Sequence, residues 1–322
     1  MSHHSPIGFI KKDIQSTDYV KKTELLSTQS QKANRLFPFL VTESFSSRID
    51  WDDSADPLLR QILPSAKELE EQSGFLLDPL EERQFTIAPG VIKKYQGRVI
   101  LQLTGACPIH CRYCFRRHSK SEDIPKTLQE WQKGVETVRD DKSIIEVIYS
   151  GGDPLMLPHA RLIELSDLLA EIPHLQRLRI HTRTPVASPE RITSTLINGL
   201  QSNRLVVSMV IHMNHAAEMD AAVESALAML VDSGIPLYNQ SVLLKGVNDD
   251  VDSLAALSET LLQARVTPYY LHLLDPVAGA AHFQVDERQG RELIQALRNR
   301  LPGFGVPLLV KEIPGSQAKV PL

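Results

Sequence analysis

The chain has 322 residues, a formal net charge of −4 and a pI near 6.3. Hydrophobic residues make up 42% and charged residues 23% of it, which is typical of a globular protein with a buried core. The acidic balance argues against a broad basic surface for nucleic acid, and no stretch has the length and apolarity of a membrane-spanning helix. Residues 1–12 lack the apolar core of a signal peptide, so we expect a cytoplasmic protein.

Residues 1–95 differ in pattern from the rest of the chain. Polar stretches with helical character at residues 26–36 and 66–72 alternate with breaks that contain Pro57 and Pro79. We therefore predict an N-terminal helical subdomain over residues 1–95 that wraps around the main body of the protein.

From residue 98 onward, short apolar runs alternate with amphipathic stretches. The runs are nearly continuous in apolar character, as expected of parallel strands that are covered on both faces. Six successive β–α units predict an α/β fold, either an incomplete (β/α) barrel or a doubly wound sheet. The predicted strands are residues 99–103, 144–149, 178–181, 205–211, 237–243 and 269–273, and the predicted helices are residues 128–138, 160–170, 190–198, 216–231, 253–264 and 287–300.

All three cysteines of the chain lie within eight residues, at Cys107, Cys111 and Cys114. Three thiolates can hold three irons of a [4Fe–4S] cluster. Because such clusters normally take four protein thiolates, the fourth iron would be free to bind a small molecule. The alternative is a structural zinc site completed by His110 or His118, although structural zinc commonly uses paired ligand motifs that this chain lacks. Free thiols also agree with a reducing compartment.

Polar side chains follow the carboxyl ends of the predicted strands, where barrel enzymes place their chemistry. After the second predicted strand, Gly151 and Gly152 allow the backbone to approach a ligand closely. Asp153 follows them, and its alternative role is to cap the next turn. The other polar residues at or near predicted strand ends are His181, Arg183, His212, Gln240 and Asp275.

Lys319 lies close to the end of the chain, after an apolar run at 304–310 that we predict to be a final strand. Lysine is usually solvated, but a tail that turns at Pro314 can reach back into the mouth of a barrel. A desolvated lysine can lose its proton and bind an aldehyde such as pyridoxal phosphate covalently. We therefore divide the rest of the chain into a core at 96–300 and a C-terminal strand and cofactor-lysine segment at 301–322.

Asp275 and four further residues are candidates for ligand binding. Asp275 and Glu312 are acids that the strand order can bring together, with ordinary surface positions as the alternative. Arg116 can grip a carboxylate with two hydrogen bonds, or pair with an anionic cluster or cosubstrate. Tyr95 can cover a pyridine ring and Arg98 can bind a phosphate, with simple packing as the alternative.

These motifs together resemble the lysine 2,3-aminomutase family, the pyridoxal-phosphate-dependent branch of the radical S-adenosylmethionine (SAM) enzymes. The resemblance extends from about residue 78 to residue 321. It rests on the cysteine triplet and on the segments at residues 151–155, 183–186, 212–215, 239–244, 246–249 and 282–283.

The resemblance implies a partial (β/α)6 barrel and conversion of L-α-lysine into β-lysine. Cys107, Cys111 and Cys114 would hold the [4Fe–4S] cluster, whose open iron binds SAM for cleavage to a 5′-deoxyadenosyl radical. Lys319 would attach pyridoxal phosphate. The implied contacts of SAM are Gly151, Gly152, Asp153, His212 and Gln240.

The resemblance also implies how the substrate is bound. Arg116 would bind the α-carboxylate of lysine, and Asp275 and Glu312 would receive its ε-ammonium. Two positions depart from the family pattern. Glu312 stands where the family usually has aspartate, and Ser-Gln-Ala at 316–318 replaces a run of glycines.

The chain is most similar to compact members of the family that supply β-lysine for modification of elongation factor P. This similarity implies an electron donor and an elongation factor P ligase as partners, with a homo-oligomer as a further expectation. Two alternatives stay open: a relative that uses another amino acid or makes free β-lysine, and a zinc-bearing RNA-binding protein.

Overall fold

The computed structural model describes residues 9–10, 28–119 and 124–322. Residues 1–8 and 11–27 of the predicted N-terminal subdomain lie outside the described residues. The strands are β1 (Phe9–Ile10), β2 (Val41–Thr42), β3 (Thr86–Ala88), β4 (Val91–Tyr95), β5 (Arg98–Thr104), β6 (Glu146–Gly151), β7 (Arg177–Thr182), β8 (Val206–His212), β9 (Leu237–Val242), β10 (Thr267–His272), β11 (Leu308–Lys311) and β12 (Val320–Pro321).

Helices connect most of these strands. The α-helices are α1 (Thr28–Leu36), α2 (Glu43–Ser46), α3 (Pro57–Ile62), α4 (Leu128–Asp140), α5 (His159–Ala170), α6 (Thr184–Ala187), α7 (Ser194–Leu200), α8 (Ala221–Asp232), α9 (Val251–Gln263) and α10 (Glu287–Arg298). Short 3-10 helices cover Ala66–Leu69, Glu82–Phe85, Pro154–Met156, Pro189–Arg191, Ala216–Glu218, Ala281–Phe283 and Gly303–Gly305. Across the described part of the chain, none of the helices combines the length and the apolar character needed to cross a membrane.

Strands β3 to β12 form one sheet in which every strand is hydrogen-bonded to its neighbours in chain order. Strands β5 to β11 run parallel, whereas β3, β4 and β12 are antiparallel additions at the two edges. A doubly wound sheet reverses its strand order at a switch point. Since no reversal occurs among the described strands of this sheet, the partial barrel is confirmed and the doubly wound alternative is wrong.

The strands present one face to the helices and the other to the inside of the barrel. In β5, Val99, Leu101 and Leu103 are buried against the helical layer, while the alternate residues Ile100 and Gln102 are only partly buried. The same alternation occurs in β7. The sequence predicts strands covered on both faces, but the inner face of these two strands instead borders a cavity.

Side-chain caps explain why two helices begin later than the sequence predicts. The helix predicted at 190–198 starts at Ser194, because the hydroxyl of Thr193 accepts a hydrogen bond from the Leu196 amide. The helix predicted at 216–231 starts at Ala221, because the carboxylate of Asp220 accepts from the Val223 amide.

Two other predicted elements are shorter than expected. The helical stretch predicted at 66–72 is a single 3-10 turn, Ala66–Leu69. The final strand predicted at 304–310 is interrupted, since Gly303–Gly305 forms a 3-10 turn and β11 begins only at Leu308. Proline at 302 and 307 and the two glycines between them favour such a break.

The N-terminal part of the chain is attached to the cysteine loop by a buried ion cluster. The carboxylate of Glu68 accepts two hydrogen bonds from Arg112, at 2.6 and 2.9 Å, and one from Arg117 at 2.5 Å. Arg112 also donates to the carbonyl of Phe37 at 2.6 Å. Residues 33–68 therefore pack directly around the loop after β5.

The division of the chain into segments 1–95, 96–300 and 301–322 stays a prediction. Strands β3 and β4 lie within the first of these segments but belong to the main sheet.

Glu68→Gln should destabilise the fold by about 3–5 kcal/mol, because it leaves two buried arginines without their carboxylate. Burial opposes ionisation of Glu68, but Arg112 and Arg117 outweigh it and lower its pKa from the ordinary 4.5. Its stabilising effect is therefore fully present above pH 4.5 and is lost as the pH falls through the lowered pKa. Chemical denaturation of the parent and the variant at several pH values measures the difference in their free energies of unfolding.

The matched control is Glu71→Gln, an exposed position where we expect a change within about 0.5 kcal/mol. Equal stability of the two variants, or a difference from the parent that grows on acidification, would contradict the role given to Glu68.

Candidate active site

A cavity of about 590 Å³ lies against the inner face of the barrel. Every residue that the sequence predicts for the site lines this cavity, although the residues come from widely separated parts of the chain. They are Tyr95, Arg98, Cys107, Cys111, Cys114, Arg116, Gly151, Gly152, Asp153, His212, Gln240, Asp275, Glu312 and Lys319.

The three cysteines are free thiols in the loop that follows β5. The amide of Cys114 donates to the carbonyl of Cys111 at 3.0 Å, which folds the loop back on itself. Burial raises the pKa of the Cys114 thiol to about 11. A bound metal would reverse this effect, because coordination to a metal favours the thiolate. The thiol of Cys111 already has a cationic partner, since Arg183 Nη1 lies 2.7 Å from its sulfur.

The zinc alternative finds no support in the two candidate histidines. His110 Nδ1 lies 2.6 Å from the carbonyl of Pro38, and His118 Nε2 lies 2.9 Å from the carbonyl of Ala278. Neither ring lines the cavity. Across residues 9–10, 28–119 and 124–322, no three His, Cys, Asp or Glu side chains are placed to hold a single ion. The thiols of a cluster bind different irons, so three free thiols beside an arginine fit that group.

The glycine pair after β6 is required by close packing of the backbone. A Cβ on Gly152 would lie 2.3 Å from the carbonyl oxygen of Ala106, and one on Gly151 would lie 2.5 Å from that of Thr104. Gly151 also has a φ of 123°, which L-residues rarely adopt. The two glycines therefore allow β6 to approach the beginning of the cysteine loop.

Asp153 uses its carboxylate within the protein. It accepts hydrogen bonds from the amides of Leu155, Arg183 and Thr184 and from the hydroxyl of Thr182, at 2.6–3.1 Å. This carboxylate ties the end of β6 to the end of β7. If the segment at residues 151–153 contacts SAM, it would therefore do so through its backbone.

Gly152→Ala should destabilise the fold by about 1–3 kcal/mol, because the new methyl group would overlap the backbone of Ala106. Gly303→Ala is the control, since a Cβ there would meet no atom within 4 Å. Thermal unfolding of both variants measures the difference. Equal melting temperatures would show that the backbones after β5 and β6 are not held this closely.

Arg116 is paired with an acid that the sequence prediction did not include. Its Nε and Nη2 donate to the carboxylate of Glu82 at 2.8 and 2.6 Å. Its Nη1 donates to Ser150 Oγ and to the carbonyl of Gly151, both at 3.1 Å. The guanidinium is therefore held in one orientation beside the cysteine loop. A substrate carboxylate at this position would share Arg116 with Glu82.

Glu312 is the centre of a second ionic group. Its carboxylate accepts a hydrogen bond from Lys319 Nζ at 2.8 Å and one from the hydroxyl of Tyr95 at 3.0 Å, and it forms an ion pair with Lys94. Burial opposes its charge, but the two lysines hold its pKa well below the usual range. The guanidinium of Arg98 lies 4.7 Å from the centre of the Tyr95 ring.

Asp275 differs from Glu312 because its carboxylate has no hydrogen-bond donor among the described residues. Among the described residues, no hydrogen bond or ion pair reaches this side chain. Burial, together with the charge of Glu312, raises its pKa to about 7. Asp275 is therefore the acid in the cavity that is free to accept a ligand cation.

Comparison with known proteins identifies the family of the chain. Residues 101–257 match the radical SAM superfamily. An L-lysine 2,3-aminomutase of Escherichia coli (strain K12) is 43% identical over 292 residues, which cover 91% of this chain and 85% of that protein. The chain belongs to the lysine 2,3-aminomutase family.

Other relatives agree. The L-lysine 2,3-aminomutase of Haemophilus influenzae is 42% identical over 90% of this chain and 86% of its own length. Among solved structures, Streptococcus suis SuiB bound to S-adenosylmethionine aligns with a TM-score of 0.50 and 11% identity, over 68% of this chain and 51% of that chain. At this identity the likeness concerns the fold alone.

Several other residues line this aminomutase-family cavity without having been predicted as site residues. Glu82 and Lys94 form the ion pairs described above. His181 and Arg183 stand at predicted strand ends, and that position was the signal that could have identified them. His272 lies one residue before the end of the predicted strand 269–273, so the same signal applied to it. The remaining polar residues in this group are Tyr113, Glu146, Ser150, Arg179, Thr182, Tyr269 and Tyr270.

Proposed function

We propose that this protein is a lysine 2,3-aminomutase that converts L-α-lysine into β-lysine with a [4Fe–4S] cluster, SAM and pyridoxal phosphate. The observation that supports this most is the content of one cavity. Three free thiols, a lysine near the end of the chain and a half-buried acid, which has no hydrogen-bond partner among the described residues, all line it. A structural metal site or a hydrolytic site would not need these three features together.

The cofactors supply the difficult chemistry: the cluster with SAM supplies a radical, and pyridoxal phosphate supplies a carrier for the migrating amino group. Cys107, Cys111 and Cys114 would hold the cluster. Lys319 would attach pyridoxal phosphate, and its Nζ lies 5.8 Å from the centre of the Tyr270 ring. The backbone at Gly151, Gly152 and Asp153, together with His212 and Gln240, would contact SAM. Tyr95 and Arg98 would contact pyridoxal phosphate.

Glu312 holds the side chain of Lys319 in place. Its carboxylate, which two lysines keep ionised, accepts a hydrogen bond from Lys319 Nζ at 2.8 Å. Nζ must leave this carboxylate before it can attack an aldehyde. Once Nζ turns away, Glu312 keeps Lys94 as its partner.

Asp275 and Arg116 would bind the two ends of the substrate. Arg116 would hold the α-carboxylate while Glu82 fixes the plane of its guanidinium. Asp275 would receive the ε-ammonium, which supplies the positive charge that this carboxylate lacks in the protein. An acid at that end favours lysine over an amino acid with an anionic side chain.

The proposed function is tested by incubating the anaerobic, iron-loaded protein with SAM, a reductant, pyridoxal phosphate and one amino acid at a time. We expect β-lysine from lysine and no β-amino acid from glutamate or alanine. A different preferred substrate would overturn the assignment to lysine. Absence of any β-amino acid from an iron-loaded protein that cleaves SAM would overturn the aminomutase proposal.

Lys319→Ala should abolish the visible absorbance of bound pyridoxal phosphate while the iron content stays at the parent value. Borohydride treatment should add the mass of the cofactor to the parent but not to the variant. Lys311→Ala is the control, because Lys311 pairs with Glu287 and does not line the cavity. Attachment of the cofactor to Lys319→Ala would remove Lys319 from this role.

Asp275→Asn should raise the KM for lysine at least tenfold and leave lysine-independent cleavage of SAM unchanged. In the parent, the affinity for lysine should fall as the pH drops below about 7, because a protonated Asp275 cannot hold an ammonium. The Asn variant should lack this pH dependence. Equal loss of lysine affinity and SAM cleavage would place Asp275 on the SAM side of the cavity.

The wider biological role rests on the resemblance alone. We propose that the β-lysine is passed to a ligase that acts on elongation factor P. Reconstitution with that ligase should give a modified elongation factor from α-lysine only when the aminomutase is present. The electron donor, a homo-oligomeric state and the cytoplasmic location stay predictions.

A further inference from the structure

Arg183 has an environment that the proposed reaction does not account for. It directly follows β7 and is only 6% exposed. Its backbone amide donates to Asp153 at 2.6 Å, which fixes the start of the side chain. Its guanidinium then points to the cysteine loop, where Nη1 lies 2.7 Å from Cys111 Sγ and 2.6 Å from the hydroxyl of Tyr113.

Two fully buried side chains hold the other side of the guanidinium. Arg183 Nη2 donates to Glu218 Oε2 at 2.9 Å and to Gln61 Oε1 at 2.8 Å. Gln61 in turn donates to Glu218 Oε1 at 3.1 Å. Both Glu218 and Gln61 are 0% exposed. Because Gln61 lies in α3, the N-terminal part of the chain helps to orient an arginine at the cysteine loop.

An N–H group that points at a thiolate changes the electronic properties of a cluster bound there. The hydrogen bond and the positive charge withdraw electron density from the sulfur, and this favours the reduced cluster. Charge balance alone would not require the contact with Cys111, since Glu218 already neutralises Arg183.

We propose that Arg183 is a positioning residue for the cluster: it donates a hydrogen bond to the Cys111 thiolate and raises the reduction potential of the cluster, while Gln61 and Glu218 hold its guanidinium in place. This inference rests on the proposed function through the presence of the cluster. It requires neither lysine nor pyridoxal phosphate.

The test uses full-length protein reconstituted anaerobically with iron and sulfide. Arg183→Lys keeps the charge beside Glu218 but cannot reach all four acceptors. The double variant Arg183→Met with Glu218→Gln removes both buried charges, so that no buried carboxylate is left unpaired. Arg204→Lys is the matched control, because Arg204 binds backbone carbonyls of Ala170 and Leu175 and does not line the cavity.

The measurements are iron content, melting temperature and the midpoint potential from a spectroscopic redox titration. We expect parental iron content in all variants and a more negative potential in both Arg183 variants. At a fixed solution potential, the ratio of reduced to oxidised cluster should fall about tenfold in the double variant, the size expected for losing a hydrogen bond to a charged group. The control should match the parent.

An unchanged potential in both Arg183 variants with intact clusters would overturn the inference. Loss of the cluster from both variants together with a lower melting temperature would also overturn it, in favour of a purely structural role. If the parent and the control themselves bind no iron, the proposed function fails instead.

Discussion

The cysteine loop is held by four arginines that are paired with acids, and three of these arginines are buried. Arg112 and Arg117 share Glu68, while Arg183 binds Glu218 and Arg116 binds Glu82. A buried charge without a partner is strongly destabilising, so these arginines cannot move independently of their acids. The acids come from the N-terminal segment, the sheet edge and the region after β8. The position of the three thiols therefore depends on several distant parts of the chain being folded together.

The parallel strands and the cysteine site could be predicted because their signals are local. The apolar runs that become β5 to β10 repeat at regular spacing, and eight residues contain all three thiols. The ion pairs and buried hydrogen bonds of the site could not be predicted, because their partners are far apart in sequence: 122 residues separate Gln61 from Arg183, and 218 residues separate Lys94 from Glu312. No periodicity links such positions.

The two acids of the proposed substrate site differ in a way that their identity alone does not show. Glu312 is occupied by two lysines and a tyrosine, so it orders Lys319 and Lys94 before any substrate binds. Asp275 is the acid left for a ligand. The long side chain of Glu312 fits the first role. Selection of a cationic substrate would then depend mainly on Asp275 and on the charge balance set by Lys94.

The proposed chemistry requires that the three thiols hold a cluster with one iron open to SAM. Electron paramagnetic resonance of the reduced, anaerobically reconstituted protein would detect such a cluster. We expect about four irons per chain and a cluster spectrum that changes when SAM is added, with no requirement for lysine. A colourless protein that binds one zinc ion, or a cluster whose spectrum is indifferent to SAM, would contradict it.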